Sequence, residues 1–523
     1  MNRCAGEFQV SDKQIRNVVI AGGGTAGWVA AAALSHQLHG LVDITLVESE
    51  EIGTVGVGES TVPPMRTFNR FLQIDEQEFM RATAATFKLG IKFENWRRIG
   101  ETYIHPFGIT GQSTWSCEFH HFWLDSVTRG MRSDFGAYCL EHQAAAQEKF
   151  ATGPDSRINY AYHLDAGIYA RYLRKFSERF GVKRIEGKIK HVRQHPESGF
   201  IEALELESGA VIAGDLFIDC TGFRGLLIEQ ALHTGYEDYN KWLLCDAAVA
   251  LQSEPVAPPH PYTRAIAHEA GWRWRIPLQH RVGDGLVFCS RHMTDQQATE
   301  KFLREVEGKP ITQPRVIKFR TGRRRQGWNK NVVAIGLAGG FIEPLESTSI
   351  HMIMSSVVRL IHLFPFAGVT PALQAEYNEL TRKEIEHIRD FVVMHYHANE
   401  RDDSEFWREC REMTVPDSLA HRLEIFRERG HAWQADGELF RIDSWTHVML
   451  GQGVIPRHSH LLPKAMSDAD MTRFLSELRK PVAKAMEHMP AHHEFLNRYC
   501  KASEDIWSVA KAAAASTHWV LNR

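Results

Sequence analysis

The stretch that most restricts the fold lies near the start of the chain. Asn17-Val18-Val19-Ile20-Ala21 is a short apolar run of β character, and Gly22-Gly23-Gly24-Thr25-Ala26-Gly27-Trp28 follows it directly. An alanine-rich segment of helical pattern, Val29 to Leu38, comes next, and a second β run, Val42 to Val47, ends at Glu48. Strand, GxGxxG, helix, strand and acid in this order form a dinucleotide-binding unit. Gly22 permits the tight turn, Gly24 lets a pyrophosphate reach the backbone, and Gly27 lets helix and strand pack closely. Thr25 and Ala26 are assigned to the same cofactor site, and Glu48 is placed to hold ribose hydroxyls.

The later loops decide which dinucleotide. A buried-type strand, Asp215 to Cys220, ends in Thr221-Gly222, and another, Val332 to Ile335, runs into a glycine-rich loop. Closing loops at such long intervals, with other material inserted between them, suit FAD better than NAD. A second GxGxxG for NADPH is missing, so the chain is not expected to reduce its own flavin.

The loop after Ile335 reads Gly336-Leu337-Ala338-Gly339-Gly340-Phe341-Ile342-Glu343-Pro344-Leu345-Glu346-Ser347-Thr348-Ser349-Ile350. Its small residues allow close approach to a flat ligand, and Leu337 and Ile350 are read as cofactor contacts. Glu346, Thr348 and Ser349 stand just ahead of a helical run, where backbone N–H groups favour an anion. A glycine-rich turn with Glu346 as a helix-start carboxylate accounts for the same residues equally well.

Three other segments stand out. Gly56 to Pro64 is a small-residue loop expected near the flavin, followed by a helical stretch from Met65 to Phe87. Thr86-Phe87-Lys88-Leu89-Gly90-Ile91-Lys92-Phe93-Glu94 alternates like a strand, with Lys88, Gly90, Lys92 and Glu94 on one face. Alternation alone makes that face a solvated one. Tyr103 to Trp123 is rich in aromatic residues and histidine, either a pocket for a flat ring or an aromatic core. Gly271-Trp272-Arg273-Trp274-Arg275-Ile276-Pro277 reads as a strand with both tryptophans on one face.

At 523 residues the chain exceeds one small core, and its 43% hydrophobic and 24% charged content is ordinary for a globular protein. A net charge of −3 gives no electrostatic case for nucleic acid or anionic membrane. Apolar runs stop short of the ~18 residues that a membrane span needs. Eight scattered cysteines without a CxxC pair fit reduced thiols and a cytoplasmic location. The 28 histidines include His395-x-His397, His458-x-His460 and His492-His493, but none has partners at metal-ligand spacing, so no metal is expected. After Ile350 the chain turns helical, with runs at Met352 to Leu363, Thr370 to His397, Ser418 to Arg429 and Ser467 to Lys480; Ser467 is a candidate N-cap.

Taken together, the glycine loop, Lys88 in TFKLGIKFENW, the WxWxIP motif at Trp272 and Trp274, and EPLEST from Glu343 to Thr348 resemble the flavin-dependent tryptophan halogenases. The similarity runs from about residue 15 to residue 410. The resemblance implies that reduced FAD, supplied by a separate reductase, reacts with O2, and that halide near Thr348 and Ser349 becomes a hypohalous acid. The oxidant would travel internally to Lys88, which hydrogen-bonds it or forms a haloamine. Glu346 would then act as general base or polarise the oxidant. Lys88 must then point inward, and the two tryptophans would keep substrate from the flavin. His105 and Phe107 match the family's ring-sandwiching pair, which implies an indole-like aromatic substrate. Dimers are common in the family, so a homodimer is an expectation of the same resemblance. Two departures stand out. Ser349 replaces the family's usual glycine, and Ile442 to Gly453 lacks a recognisable tryptophan-backbone clamp. A flavin monooxygenase and a non-catalytic FAD-binding scaffold are the alternatives.

The expected architecture is α/β. A flexible tail covers 1–16, and an FAD-binding Rossmann-like core with an inserted substrate-binding β-sheet covers 17–360. A mainly helical substrate-side region covers 361–523.

Overall fold

The computed structural model describes residues 14–52, 58–131, 133–153 and 156–503. Most of the expected N-terminal tail, and Gly56 and Val57 of the small-residue loop, lie outside them.

The first strand, Asn17–Ala21, occupies the interior of a six-stranded sheet. It pairs in parallel with Asp43–Glu48 on one side and Leu216–Asp219 on the other. Val332–Ala334 extends the sheet in parallel beyond Leu216–Asp219, and Lys183–Glu186 extends it beyond Asp43–Glu48. Trp328–Asn329 adds a short antiparallel edge. The helix Thr25–Gln37 is buried from Gly27 to Ser35, as its run of alanines requires for close packing on the sheet. All the strands expected for the dinucleotide unit are present in it.

The two long excursions between these strands meet in a second sheet. Its order is Arg315–Lys318, Ala247–Ser253, Val282–Phe288, Gly271–Pro277, Thr263–His268, Gly90–Glu94 and Thr102–Pro106. Every pairing is antiparallel except that between Thr263–His268 and Gly90–Glu94, where the two excursions join in parallel. In Gly271–Pro277 the tryptophans share one face as the period of two demands. The arginines on the other face are buried as well, and Arg275 and Arg273 reach Asp284 and Glu307.

The alternating stretch around Lys88 differs from expectation. It is two strands in two sheets. Thr86–Lys88 pairs with Ala161–Asp165 in a three-stranded sheet with Gly58–Ser60, and the chain changes sheet at Leu89, whose N–H donates to the Pro261 carbonyl at 2.7 Å. Lys88 therefore leaves the half-exposed face of Lys92 and Glu94 and is fully buried. The helical stretch before it is also divided, into Pro64–Phe71 and Glu76–Thr83, because Asp75 caps the second helix by accepting the Glu78 N–H at 2.8 Å.

Helices follow from Ser349–His362 onward, the longest being Pro371–His397 and Asp468–His488. Ser467 caps the latter by accepting the Asp470 N–H at 3.1 Å, and the helix continues through Pro481 rather than stopping at Lys480. These helices cover the tryptophan face of the second sheet. Phe391, Tyr396, Trp407, Leu423 and Trp445 share one core with Phe93, Trp96, Trp272 and Leu345. Among the described residues no helix is long and apolar enough to cross a membrane, and the seven described cysteines are unpaired and buried.

One buried ion pair ties the small sheet to the large one. Asp165, at the end of Ala161–Asp165, caps the helix Ala166–Arg179 and receives Arg281 Nε and Nη2 at 3.1 and 2.5 Å. Burial alone would raise the Asp165 carboxyl, but Arg281 holds it below the usual carboxylate range. Replacing Arg281 by Met leaves a buried carboxylate without its cation and is expected to cost about 3–5 kcal/mol. Urea unfolding at neutral pH measures this, and the difference shrinks in acid as Asp165 protonates.

Candidate active site

The glycine loop, the Thr221-Gly222 turn and the loop after Ile335 enclose a cavity of about 880 Å³, a size usual for cofactor clefts. Gly22, Gly24, Thr25, Ala26, Glu48, Leu337 and Ile350, all expected at the cofactor, line it. Gly22 has φ +105°, and a Cβ there would lie 2.4 Å from the Cys220 carbonyl oxygen. Gly27 does not line the cavity. A Cβ on it would meet the Gly22 carbonyl oxygen at 1.9 Å, so it serves the close packing of helix on strand. Glu48 ends its strand at the cavity, held by Arg184 and by Trp28 Nε1 at 3.3 Å. Arg171, Arg174, Arg224, Arg323 and Arg324 also line the cavity, a cationic contribution suited to a pyrophosphate. No local pattern marked them, since they come from separate segments. The bare glycine backbone, the acid and the cations fit FAD.

At one end the cavity reaches Ser60, Trp274, Ser347 and Ser349. Lys88 lies just behind this wall. Its Nζ donates to Ser347 Oγ at 2.8 Å and to the Thr61 carbonyl at 3.0 Å, and it sits 5.0 Å from the centre of the Phe107 ring. Burial pulls the ammonium down to about 7, against the opposing pull of Glu346. Ser347 thus lies between the flavin cavity and a buried amine whose pKa burial has brought down to about 7.

Glu346 is fully buried in the single 3-10 turn Pro344–Glu346. His105 Nδ1 lies 2.9 Å from its Oε2, and His395 Nε2 lies 2.9 Å from its Oε1. Burial would raise this carboxyl, but the two imidazoles outweigh it and hold it at about 2. His395 Nδ1 faces the Phe391 carbonyl at 2.8 Å. The His395 ring thus lies between a backbone carbonyl and the Glu346 carboxylate.

Thr348 stands at the N-cap position of the helix Ser349–His362 without capping it, and its hydroxyl is buried without a partner among the described residues, while Ser349 lines the flavin cavity. An orphaned hydroxyl at a helix start suits a small anion. The tryptophans divide. Trp274 and Ile276 line the flavin cavity, whereas Trp272 Nε1 donates to Glu343 Oε2 at 2.8 Å inside the protein. His105 and Phe107 stand close to the lysine, but their ring centres are 6.3 Å apart at 80°. They meet edge to face, so a sandwich around a flat ring is not preformed. His105 instead faces Phe391 and Phe440, which stack on each other at 3.7 Å.

The structure adds His395, Ser347, Glu343 and Tyr396 to the site. The only local signal at His395 is the pair His395-x-His397, which lacks partners at metal-ligand spacing and points to no function. Among the described residues no three His, Cys, Asp or Glu side chains form a metal-binding group. His395, not His397, joins His105 at Glu346.

The comparisons agree with this geometry. The profile of the tryptophan halogenase family matches residues 17–468. A tryptophan 7-halogenase of Lentzea aerocolonigenes is 35% identical, over 93% of this chain and 99% of its own length. The structure of a flavin-dependent halogenase from Xanthomonas campestris superposes with a TM-score of 0.93 at 53% identity, covering 94% of this chain and 99% of that one. A flavin-dependent halogenase from Brevundimonas sp. BAL3 gives 0.89 at 44% identity, covering 93% and 99%. A cofactor-sized cavity next to a buried lysine, in a chain matched along nearly its whole length, places this protein in the tryptophan halogenase family of flavin-dependent enzymes.

Proposed function

We propose that the protein is a reduced-FAD- and O2-dependent halogenase of an indole ring, with Lys88 as the group that receives the active halogen. The observation that carries this is Lys88 itself, fully buried and joined to the flavin cavity through Ser347. The bound reduced flavin, supplied by a separate reductase, provides with O2 the oxidising power that turns halide into hypohalous acid. Everything else falls to side chains.

Thr348 and Ser349 hold the halide at the helix start, beside the cavity. Ser347 and Lys88 form the passage by which a small oxidant leaves it. The Thr61 carbonyl and Ser347 hydroxyl take two N–H bonds from Lys88, and in the neutral amine this leaves a lone pair for attack on the halogen. The attack forms an N–halogen bond as the oxygen leaves with its proton. The substrate ring then takes the halogen, and Glu346, kept ionised by His105 and His395, receives the ring proton. His105 and Phe107 supply the rings beside the substrate. The helices after residue 361 act as the substrate-side cover.

Incubation with FAD, a flavin reductase, NADH, indole and bromide is expected to give a brominated product. A product heavier by one oxygen instead would convert the reading to a monooxygenase. Lys88→Met is expected to lower halogenation at least about 100-fold while FAD affinity, read by flavin fluorescence, stays within twofold. With Lys88 near 7 and Glu346 near 2, kcat/KM should rise with pH through one ionisation near neutrality and show no carboxylate limb above pH 4. A profile that falls through pH 7 would make protonated Lys88 the working form. Thr348→Val should raise the KM for halide about tenfold, the scale of one lost hydrogen bond to a charge, and leave FAD binding intact.

A further inference from the structure

The WxWxIP motif leaves one tryptophan unexplained. Trp274 faces the flavin cavity, but Trp272 is 1% exposed and turned into the core. Its indole N–H ends on Glu343 Oε2, and the Tyr396 hydroxyl donates to the same oxygen at 2.6 Å. Glu343 is fully buried, and its other oxygen has no partner among the described residues. A buried carboxyl with an empty lone pair lowers stability, so the fold retains a costly group at this point.

Its placement gives a reason. Glu343 precedes and Glu346 ends one 3-10 turn, and at three residues per turn side chains i and i+3 eclipse. His395 and Tyr396 are neighbours on the helix Pro371–His397. The turn and the helix are therefore joined by two rungs, Glu346 to His395 and Glu343 to Tyr396, with Trp272 bracing the second rung from the sheet. The next residue, Ser347, has φ +62°, a left-handed conformation unfavourable for a side-chain-bearing residue. Ser347 is also the hydroxyl that touches Lys88. A strained turn holds its shape only when both ends are tied, and Glu343 is the tie at its N-terminal end.

We infer that Glu343 is a positioning residue. Through hydrogen bonds accepted from Trp272 and Tyr396, it sets the turn that aims Glu346 and Ser347 at the halogen-transfer site. Trp272 thereby serves this anchor, and only Trp274 faces the flavin. The inference rests on the reading of Glu346 as a working group. Its basis is acceptance of hydrogen bonds, not charge; burial pushes the Glu343 carboxyl up to about 7, so a neutral group serves as well.

The test uses the full-length enzyme with FAD, reductase, indole and bromide, and four variants. Glu346→Gln first checks the underlying reading: unchanged kcat in that variant overturns it and the positioning role together. With that loss established, Glu343→Gln keeps an acceptor oxygen for both donors and should stay within about twofold of wild type. Glu343→Met, and the double variant Trp272→Phe/Tyr396→Phe, which keeps all rings but removes both donors, should lower kcat about 10- to 100-fold. KM for indole and FAD affinity by fluorescence should stay within twofold in both. Wild-type kcat in the double variant overturns the inference, even if Glu343→Met fails to fold. A Glu343→Gln variant as damaged as Glu343→Met overturns it too, because charge would then be the working property. Parallel rises in KM and in the FAD dissociation constant would reduce the network to general scaffolding and also overturn it.

Discussion

The site depends on keeping Glu346 ionised where water does not reach. A lone carboxylate in that chamber would take up a proton, because burial penalises the charged form. His105 and His395 prevent this from opposite oxygens, at 2.9 Å each. The two imidazoles come from different layers: His105 from the last strand of the seven-stranded sheet, and His395 from the helix that covers it. Sheet, turn and helix must therefore meet within hydrogen-bonding distance, and the shared aromatic core between them holds that spacing.

Lys88 answers the same environment in the opposite sense. Burial favours its neutral form, while Glu346 favours the charged one, and the balance falls near neutrality. A lysine at its ordinary pKa would be fully protonated and unable to act as a nucleophile. The strand change at Leu89 creates this state by taking the chain out of the three-stranded sheet just after the lysine. The fold thus buries two groups whose pKa values it pushes widely apart, Lys88 to about 7 and Glu346 to about 2, the separation that the proposed nucleophile and base require.

Ser347 lines the flavin cavity and also accepts a hydrogen bond from Lys88. The proposed separation of oxidant production from its use rests on this arrangement of a lysine and a serine beside the cavity. Trp274 contributes to the cavity wall, and Trp272 contributes to the turn on the other side of it.

Local sequence determined what depends on neighbours in the chain. The spacing of Gly22, Gly24 and Gly27, the strands around them, the acid at Glu48, the Ser467 cap and the tryptophan face of Gly271–Pro277 were all legible, because turn geometry, capping and the period of two act over a few residues. Lys88 was not legible from alternation, since its burial follows from a hydrogen bond between Leu89 and Pro261 that no nearby residue announces; only the family resemblance turned it inward. His395 carried no local signal of its role, and its pairing with Glu346 exists only once helix and turn are packed. The edge-to-face meeting of His105 and Phe107 likewise belongs to the packing of Phe391 and Phe440. Tertiary structure decided these points because burial and ionisation are set by whichever groups the fold brings together, and those groups lie far apart in the chain.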